Sequence, residues 1–340
     1  MKKGQEIKQM LTNVNNDAEN KSDYIVRLKS LEVVENEHDY FPALKYEDYQ
    51  TRLTDNSVLN LANRLGMGTS YISKCMPFQS LVSYNINHWI RNNKDKGLML
   101  RNNQDKTRAI LSDRYKRIDC KDVANSTLDR LMDMGAELKY SYYDGDDMNI
   151  TAVLPKLEGE VVKGDVVQGG ITITNSEIGN GSLIIKPFIY RLVCTNGMVA
   201  PTYLNQFYAK HVGKMLINTE DDEQWKSIVA KMQQQLELVS NPEVFQENLL
   251  GLKQATEETI TSHSIVQLAK KQGVSDDERA GIFERLNHYV GEQFSVSKYE
   301  LANAVTNLAN DENKSDQRAR FLQELGGMII FSNNPARARI

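Results

Sequence analysis

Two runs of strand composition, VVQGGITITNS (166–176) and SLIIKPFIYRL (182–192), flank the loop EIGNG. β-Branched and aromatic residues suit a pleated surface, and the glycines supply the turn, so this stretch predicts a long hairpin and commits the chain to an antiparallel sheet. Ile171 and Ile173 point one way in the first arm, Thr172 and Thr174 the other. In the second arm Ile184, Lys186, Phe188 and Tyr190 share a face. Pro187 has no N–H to give to a ladder, which places this arm at a sheet edge or at a bulge.

More strands precede it. GLMLRN, TRAILSD and YKRID are short β-type runs, and ELKYSYY and MNITAVLP are joined by DGDD, a second hairpin. YIVRLKSLEVV (24–34) reads as a strand. Helical spacing marks 122–134, where Val123, Leu128, Leu131 and Met132 line one side. Further helices are expected at 202–216, 221–239, 242–256, 262–272, 276–291, 298–309 and 315–331. Asn241-Pro242, Gly273 and a capping box at Ser275/Glu278 separate them.

Near the N-terminus, VLNLANRLGMGTSYISKCM (58–76) has a helix-turn-helix pattern. Ala62 permits a close crossing, Gly66 suits a left-handed turn, and Leu61, Leu65, Met67 and Ile72 fill the corner. The second helix offers Ser70, Ser73 and Lys74 but no Arg, Asn or Gln for base edges. A structural corner against the sheet is the favoured reading, a direct DNA reader the other. A third helix is expected from Phe78 to Asn92.

The expected fold is therefore α+β: a central antiparallel or mixed sheet with a long hairpin, a small N-terminal helical corner and a helical C-terminal region. A flexible tail (1–23), an α+β core (24–218, with the corner at 54–92), an acidic helical domain (219–331) and a basic tail (332–340) divide the 340 residues. No apolar run is long enough for a membrane span or follows MKKGQE as a signal sequence would, which points to the cytoplasm.

Metal and catalytic motifs are scarce. Cys75, Cys120 and Cys194 form no CxxC, and His38, His88, His211, His263 and His288 are scattered, so neither metal nor cofactor is expected. DGDD (144–147) and EDDE (220–223) read as a turn and a helix start. GNGS (179–182) lacks the lysine and the helix of a phosphate-binding loop.

Charge is more informative. The net charge is −4, yet residues 91–121 hold ten Lys/Arg against four Asp/Glu, and residues 219–331 hold eleven against nineteen. Arg101, Lys106, Arg108, Arg114, Lys116 and Arg117 crowd into a short span with Tyr115 among them. Cations at this spacing suit successive phosphates, and an aromatic ring suits a base. Lys186 and Arg191 extend the stripe. The competing expectation is a basic face that meets the acidic helices of a neighbouring subunit, closing a ring or running on as a filament. Either role needs the basic face exposed.

RAILSDRYKRID (108–119), GGITITNSEIGNGSLIIKPFIYRLVCTNGM (169–198) and NAVTNLAND (303–311) resemble the phage/plasmid-like family called domain of unknown function 932. The resemblance implies a phage or plasmid origin, a bacterial host cytoplasm and neighbours in recombination and replication, with no activity to carry over. Members keep a short helix, a glycine and a short helix before the sheet. The sheet plan is also similar to that of single-strand annealing proteins, which form rings on DNA. Together these favour a non-enzymatic, oligomeric protein that binds or anneals single-stranded DNA. The alternative is an oligomeric protein-interaction factor of a mobile element, for example one that blocks a host defence protein.

Overall fold

A computed structural model describes residues 4–37, 39–192, 196–199, 207–211 and 223–332. The segment expected to be a flexible tail is a docked helix, α1 (Ile7–Asn20). Met10 and Val14, four residues apart, lie on one face and are fully buried. Two apolar positions suffice because α5 and a strand of the second sheet receive them. The expected strand 24–34 is two strands. A 3-10 turn at Leu28–Ser30 parts β1 (Lys21–Arg27) from β2 (Leu31–Val34), and they end on opposite sides of one sheet.

That sheet is completed by β3 (Ala43–Tyr46), β4 (Tyr49–Leu53), β5 (Gly97–Asn103) and β6 (Lys106–Ser112), in the order β1-β5-β6-β4-β3-β2. All neighbours are antiparallel except β4 and β6. Tyr24 of β1 and Tyr46 of β3 come within 6.0 Å, ring to ring, so the sheet curls strongly. Between β4 and β5 run α2 (Asp55–Arg64), α3 (Thr69–Cys75) and α4 (Gln79–Asn92). Val58, Leu61, Val82, Ile86 and Ile90 from these helices pack against Leu98, Leu100 and Ile110 of the sheet. Thr54 caps α2 by accepting from the Ser57 amide, and Gly66 turns the chain at φ 76°. The helix-turn-helix pattern thus forms a helical corner whose Leu61, Ala62, Ile72 and Cys75 are buried.

The second sheet holds the hairpins. After α5 (Cys120–Asp133) come β7 (Glu137–Tyr143), β8 (Asp147–Glu160), β9 (Val166–Ser176), β10 (Leu183–Arg191), β11 (Asn196–Val199) and β12 (Phe207–Ala209). Their order is β11-β10-β9-β8-β7, with β12 also on β10. Ile150, Ile173 and Ile185 form one fully buried cross-strand row. In the next row Thr151, Thr172 and Lys186 face the other way. β10 is an interior strand, not the edge or bulge that Pro187 implied. β12 pairs with residues 183–185 and β11 with 188–191, so Pro187 falls in the gap between them and costs that ladder nothing. YKRID forms no regular strand.

The C-terminal elements are α6 (Glu223–Val239), α7 (Pro242–Glu257), β13 (Thr259–Thr261), α8 (Ser262–Lys271), α9 (Asp276–Arg285), β14 (Ser295–Ser297), α10 (Lys298–Leu308) and α11 (Asp316–Phe331). The Ser275/Glu278 capping box starts α9. α9 ends earlier than expected, just before Asn287 at φ 60°. Of the helix expected at 202–216, residues 207–209 are strand β12, and most of the rest lies outside the described residues. His38, Cys194 and the tail from 333 onward lie outside them too.

One apolar core runs from Met10 through Ile173 and Phe245 to Ile330. The C-terminal helices therefore share their core with the second sheet, and the expected boundary near 218 is not a core boundary. The core divides near Ser112, where the first sheet's own cluster ends. The architecture is α+β with mixed sheets. Among the described residues no helix is long and apolar enough to cross a membrane.

Candidate nucleic-acid interface

The basic segment does not form a continuous exposed face. At residues 101–102, β5 opposes β6 with a register shift: Asn102 pairs with Thr107 and Arg101 with Ala109, leaving Arg108 as the extra residue of a bulge. Arg101 and Arg108 both reach the second sheet. Arg101 is 1% exposed and bonds to Asp23 (3.0 Å), Asp119 (2.6 Å) and the Glu177 carbonyl (2.8 Å). Arg108 bonds to Asp146 (2.8 Å), the Gly145 carbonyl (2.7 Å) and the Glu177 carboxylate (3.2 Å). Glu177 also accepts from Lys21 (2.7 Å) and the Cys120 amide (2.8 Å). Arg117 lies 3.4 Å from Asp23 and 3.5 Å from Asp119. Four cations thus face four carboxylates between the two sheets.

Burial opposes charge on Arg101, but Asp119, Asp23 and Glu177 outweigh it and hold the guanidinium charged. Burial likewise opposes the Asp119 carboxylate, and Arg101 and Arg117 still pull it below the usual range. Nearby Asp122 has less compensation, and desolvation raises it to about 6. The network ties the first sheet to the second. Arg101 and Arg108 are therefore corrected from phosphate ligands to buried structural partners, because each guanidinium is spent on carboxylates of the same chain.

Tyr115 is corrected as well. Its ring is 6% exposed and stacks on His211, with centroids 4.8 Å apart and planes within 5°. Its hydroxyl donates to the Ser176 carbonyl at 3.3 Å. Lys186 pairs with Glu324 of α11 at 3.0 Å, and Arg191 with Asp165 at 2.7 Å. The acidic helices meet basic groups inside one chain here, as they do at Arg130–Glu237. Lys106 and Arg114 are exposed, and Lys116 is half-buried beside His211.

A polar cleft of about 510 Å³ opens beside this network. One wall is the C-terminal end of α2, with Asn60, Asn63 and Arg64. Another is the end of β6 and its turn, with Ser112, Arg114 and Tyr115. The glycine-rich tip of the β9–β10 hairpin, Gly179 to Ser182, and Lys210 with His211 close the rest. No carboxylate is among these lining residues. The side chains of Arg64, Arg114 and Lys210 are exposed and have no ion-pair or hydrogen-bond partner among the described residues. The carbonyl of Lys116 lies 3.0 Å from His211 Nδ1, which fixes Nδ1 as the donor and leaves Nε2 an unpartnered acceptor among the described residues. Burial lowers the pKa of His211 to about 4, so the ring is neutral near pH 7.

Of the basic residues picked out in the sequence, the cleft keeps Arg114, with Tyr115 in its wall. Arg64, Lys210 and His211 were missed. Their signal is long-range packing: nothing local in a helix end at 64, or in residues 210–211 that read as helical, links them to 114.

DGDD forms the β7–β8 turn, where Asp144 accepts from the Asp146 and Asp147 amides. Asp146 is spent on Arg108. Of EDDE, Glu223 begins α6 and the others lie outside the described residues.

The three sequence blocks at 108–119, 169–198 and 303–311 meet in space. The first two join at Glu177, and the last two where Asn196 donates to Thr306 at 2.7 Å. Residues 108–319 match the family described as a domain of unknown function, DUF932. The chain belongs to that family. The DUF932 match begins at Arg108, so Arg114, Glu177 and Lys210 lie inside it, whereas Arg64 and most of the first sheet lie before it. No curated protein and no solved structure matches the chain.

Proposed function

We propose that this DUF932 protein is a non-enzymatic nucleic-acid-binding protein that holds single-stranded DNA through the α2–hairpin cleft. In this reading it is encoded by a phage or plasmid and acts as a homo-oligomer in recombination or replication in the bacterial cytoplasm. The observation that carries the reading is the cleft. In a chain of net charge −4 it gathers Arg64, Arg114 and Lys210, which among the described residues have no ion-pair partner, and none of the described lining residues is a carboxylate. Phosphodiester oxygens are the natural complement of such a set, and asparagine, serine and glycine backbone groups at the rim supply further donors. The volume suits a nucleotide-sized group of a strand.

The test is fluorescence anisotropy of labelled oligo-dT and of a duplex of equal length at two salt concentrations, with light scattering for the assembly state. The reading expects tighter binding to the single strand and weaker binding at higher salt. Absence of binding to either ligand at low salt would refute it.

A further inference from the structure

We infer that the outer face of α3 and α4 is a stacking platform for the bases of the same single strand, continuous with the cleft. The inference rests on the nucleic-acid reading and adds the part of the ligand that phosphate contacts leave out. α4 buries Val82, Ile86 and Ile90 against the first sheet and turns its other face outward. On that outer face Leu81 is 41%, Tyr84 72% and Trp89 45% exposed. Tyr71 of α3 and Phe78 between the helices are 50% and 62% exposed. The core needs none of these rings, and so many on two short helices mark an interaction surface.

Their arrangement favours bases. Tyr84 and His88 lie 6.4 Å apart with planes 24° from parallel, and the Trp89 ring meets His88 edge-on at 5.8 Å. The Trp89 plane thus stands across those of Tyr84 and His88, so the rings offer separate faces, each able to take one base of any sequence. The charge pattern favours a polyanion. Residues 56–94 contain no Asp or Glu but carry Arg64, Lys74, Arg91 and Lys94. None of these four forms an ion pair among the described residues. Of the nearest carboxylates, Asp95 is taken by Arg27 at 2.9 Å and Asp39 by Arg52 at 3.0 Å. Glu35 and Glu37 stand exposed beside the N-terminal end of α4, where Asn36 bonds to Gln79.

At the C-terminal end one further exposed carboxylate, Asp113 against Gly97, stands opposite the exposed cations Arg64, Arg91 and Lys94, and this is the more open direction. There Asn93 donates to the Leu65 carbonyl at 3.2 Å, and Lys96 to that of Arg64, whose side chain lines the cleft. A strand seated in the cleft runs from Arg64 straight onto these rings.

The experiment uses the full-length protein and two probes of equal length: oligo-dT, and a phosphodiester oligomer without bases. Tyr84→Ala/Trp89→Ala is expected to weaken oligo-dT binding about tenfold or more, with the salt slope and the binding of the base-free oligomer unchanged. Arg64→Ala/Arg114→Ala/Lys210→Ala is expected to weaken both. In a Trp225→Phe background Trp89 is the sole tryptophan, and oligo-dT is expected to quench its fluorescence saturably, the base-free oligomer not. Wild-type oligo-dT affinity in Tyr84→Ala/Trp89→Ala, or no quenching, would overturn the platform and leave the cleft standing. A fall in the free protein's mass in that variant would show that the rings join copies of the chain, and would overturn it too. A wild-type protein that binds neither probe removes both readings.

Discussion

Glu177→Gln takes one negative charge from the centre of the inter-sheet network while keeping its shape. The carboxylate is 1% exposed and is held by Lys21, Arg108 and the Cys120 amide. Lys21 and Arg108 are themselves nearly buried, with side chains 10% and 6% exposed. The amide in its place still accepts one bond but leaves a buried excess positive charge, and breaking a buried ionic set this way costs roughly 3–5 kcal/mol. Urea unfolding followed by circular dichroism reads the loss as a lower midpoint. Adding Lys21→Met removes the stranded cation, and the double variant is expected to regain part of the loss, because the two sites are in direct contact. Since Arg101, Arg108 and Glu177 join the two sheets, the single variant is also expected to separate their unfolding into two steps. A cost under about 1 kcal/mol with one unchanged transition would refute the claim that this network holds the sheets together.

Three further outcomes follow from named groups. His211 titrates near 4 instead of 6.5, so between those values only the unfolded chain takes up the proton. Acid then costs folding stability through that window, by about 3 kcal/mol at its lower end. His211→Phe, which keeps a ring against Tyr115, is expected to lose this component, so its stability relative to wild type should rise from pH 7 to pH 4.5 in urea titrations. Glu278 titrates near 2 chiefly because Arg318 donates to it, with the Ser275 amide and Lys314 adding to the effect; its contribution is present above 4.5 and fades as pH falls toward 2, and Arg318→Met should weaken that dependence in acid-unfolding curves. Gly170→Ala drives a methyl into the Ala152 carbonyl oxygen, so β8 and β9 must part. The expected cost is about 1–3 kcal/mol by thermal unfolding, whereas a neutral result would mean the strands yield freely.

Local signals read well from the sequence. The hairpins at 137–160 and 166–191 follow from alternation and turn glycines, and the α2–α3 corner from Ala62, Gly66 and the apolar set Leu61, Leu65, Met67 and Ile72. The α9 capping box follows from Ser275 and Glu278. What failed depends on partners far apart in the chain. α1 has only two buried apolar residues, a pattern that means little until α5 and β7 are there to receive it. Arg101 reaches the Asp23 carboxylate across 78 residues and Arg108 reaches that of Glu177 across 69, so a cluster of cations looked exposed while most of its counter-charges, Asp119 apart, lay elsewhere in the sequence. The cleft is harder still, since its three cations come from a helix end, a turn and the segment after β12, and only the folded chain puts them together.

The most direct test of the nucleic-acid reading is the salt dependence of oligo-dT affinity for the wild-type protein and for Arg64→Ala/Arg114→Ala/Lys210→Ala. Each phosphate contact with a single strand contributes a slope of roughly −0.7 in log affinity against log salt. Three contacts in the cleft contribute about −2, so the triple variant is expected to bind more weakly with a slope shallower by about 2. The same affinity and the same slope in both proteins would contradict the account, because the cleft would then touch no phosphate.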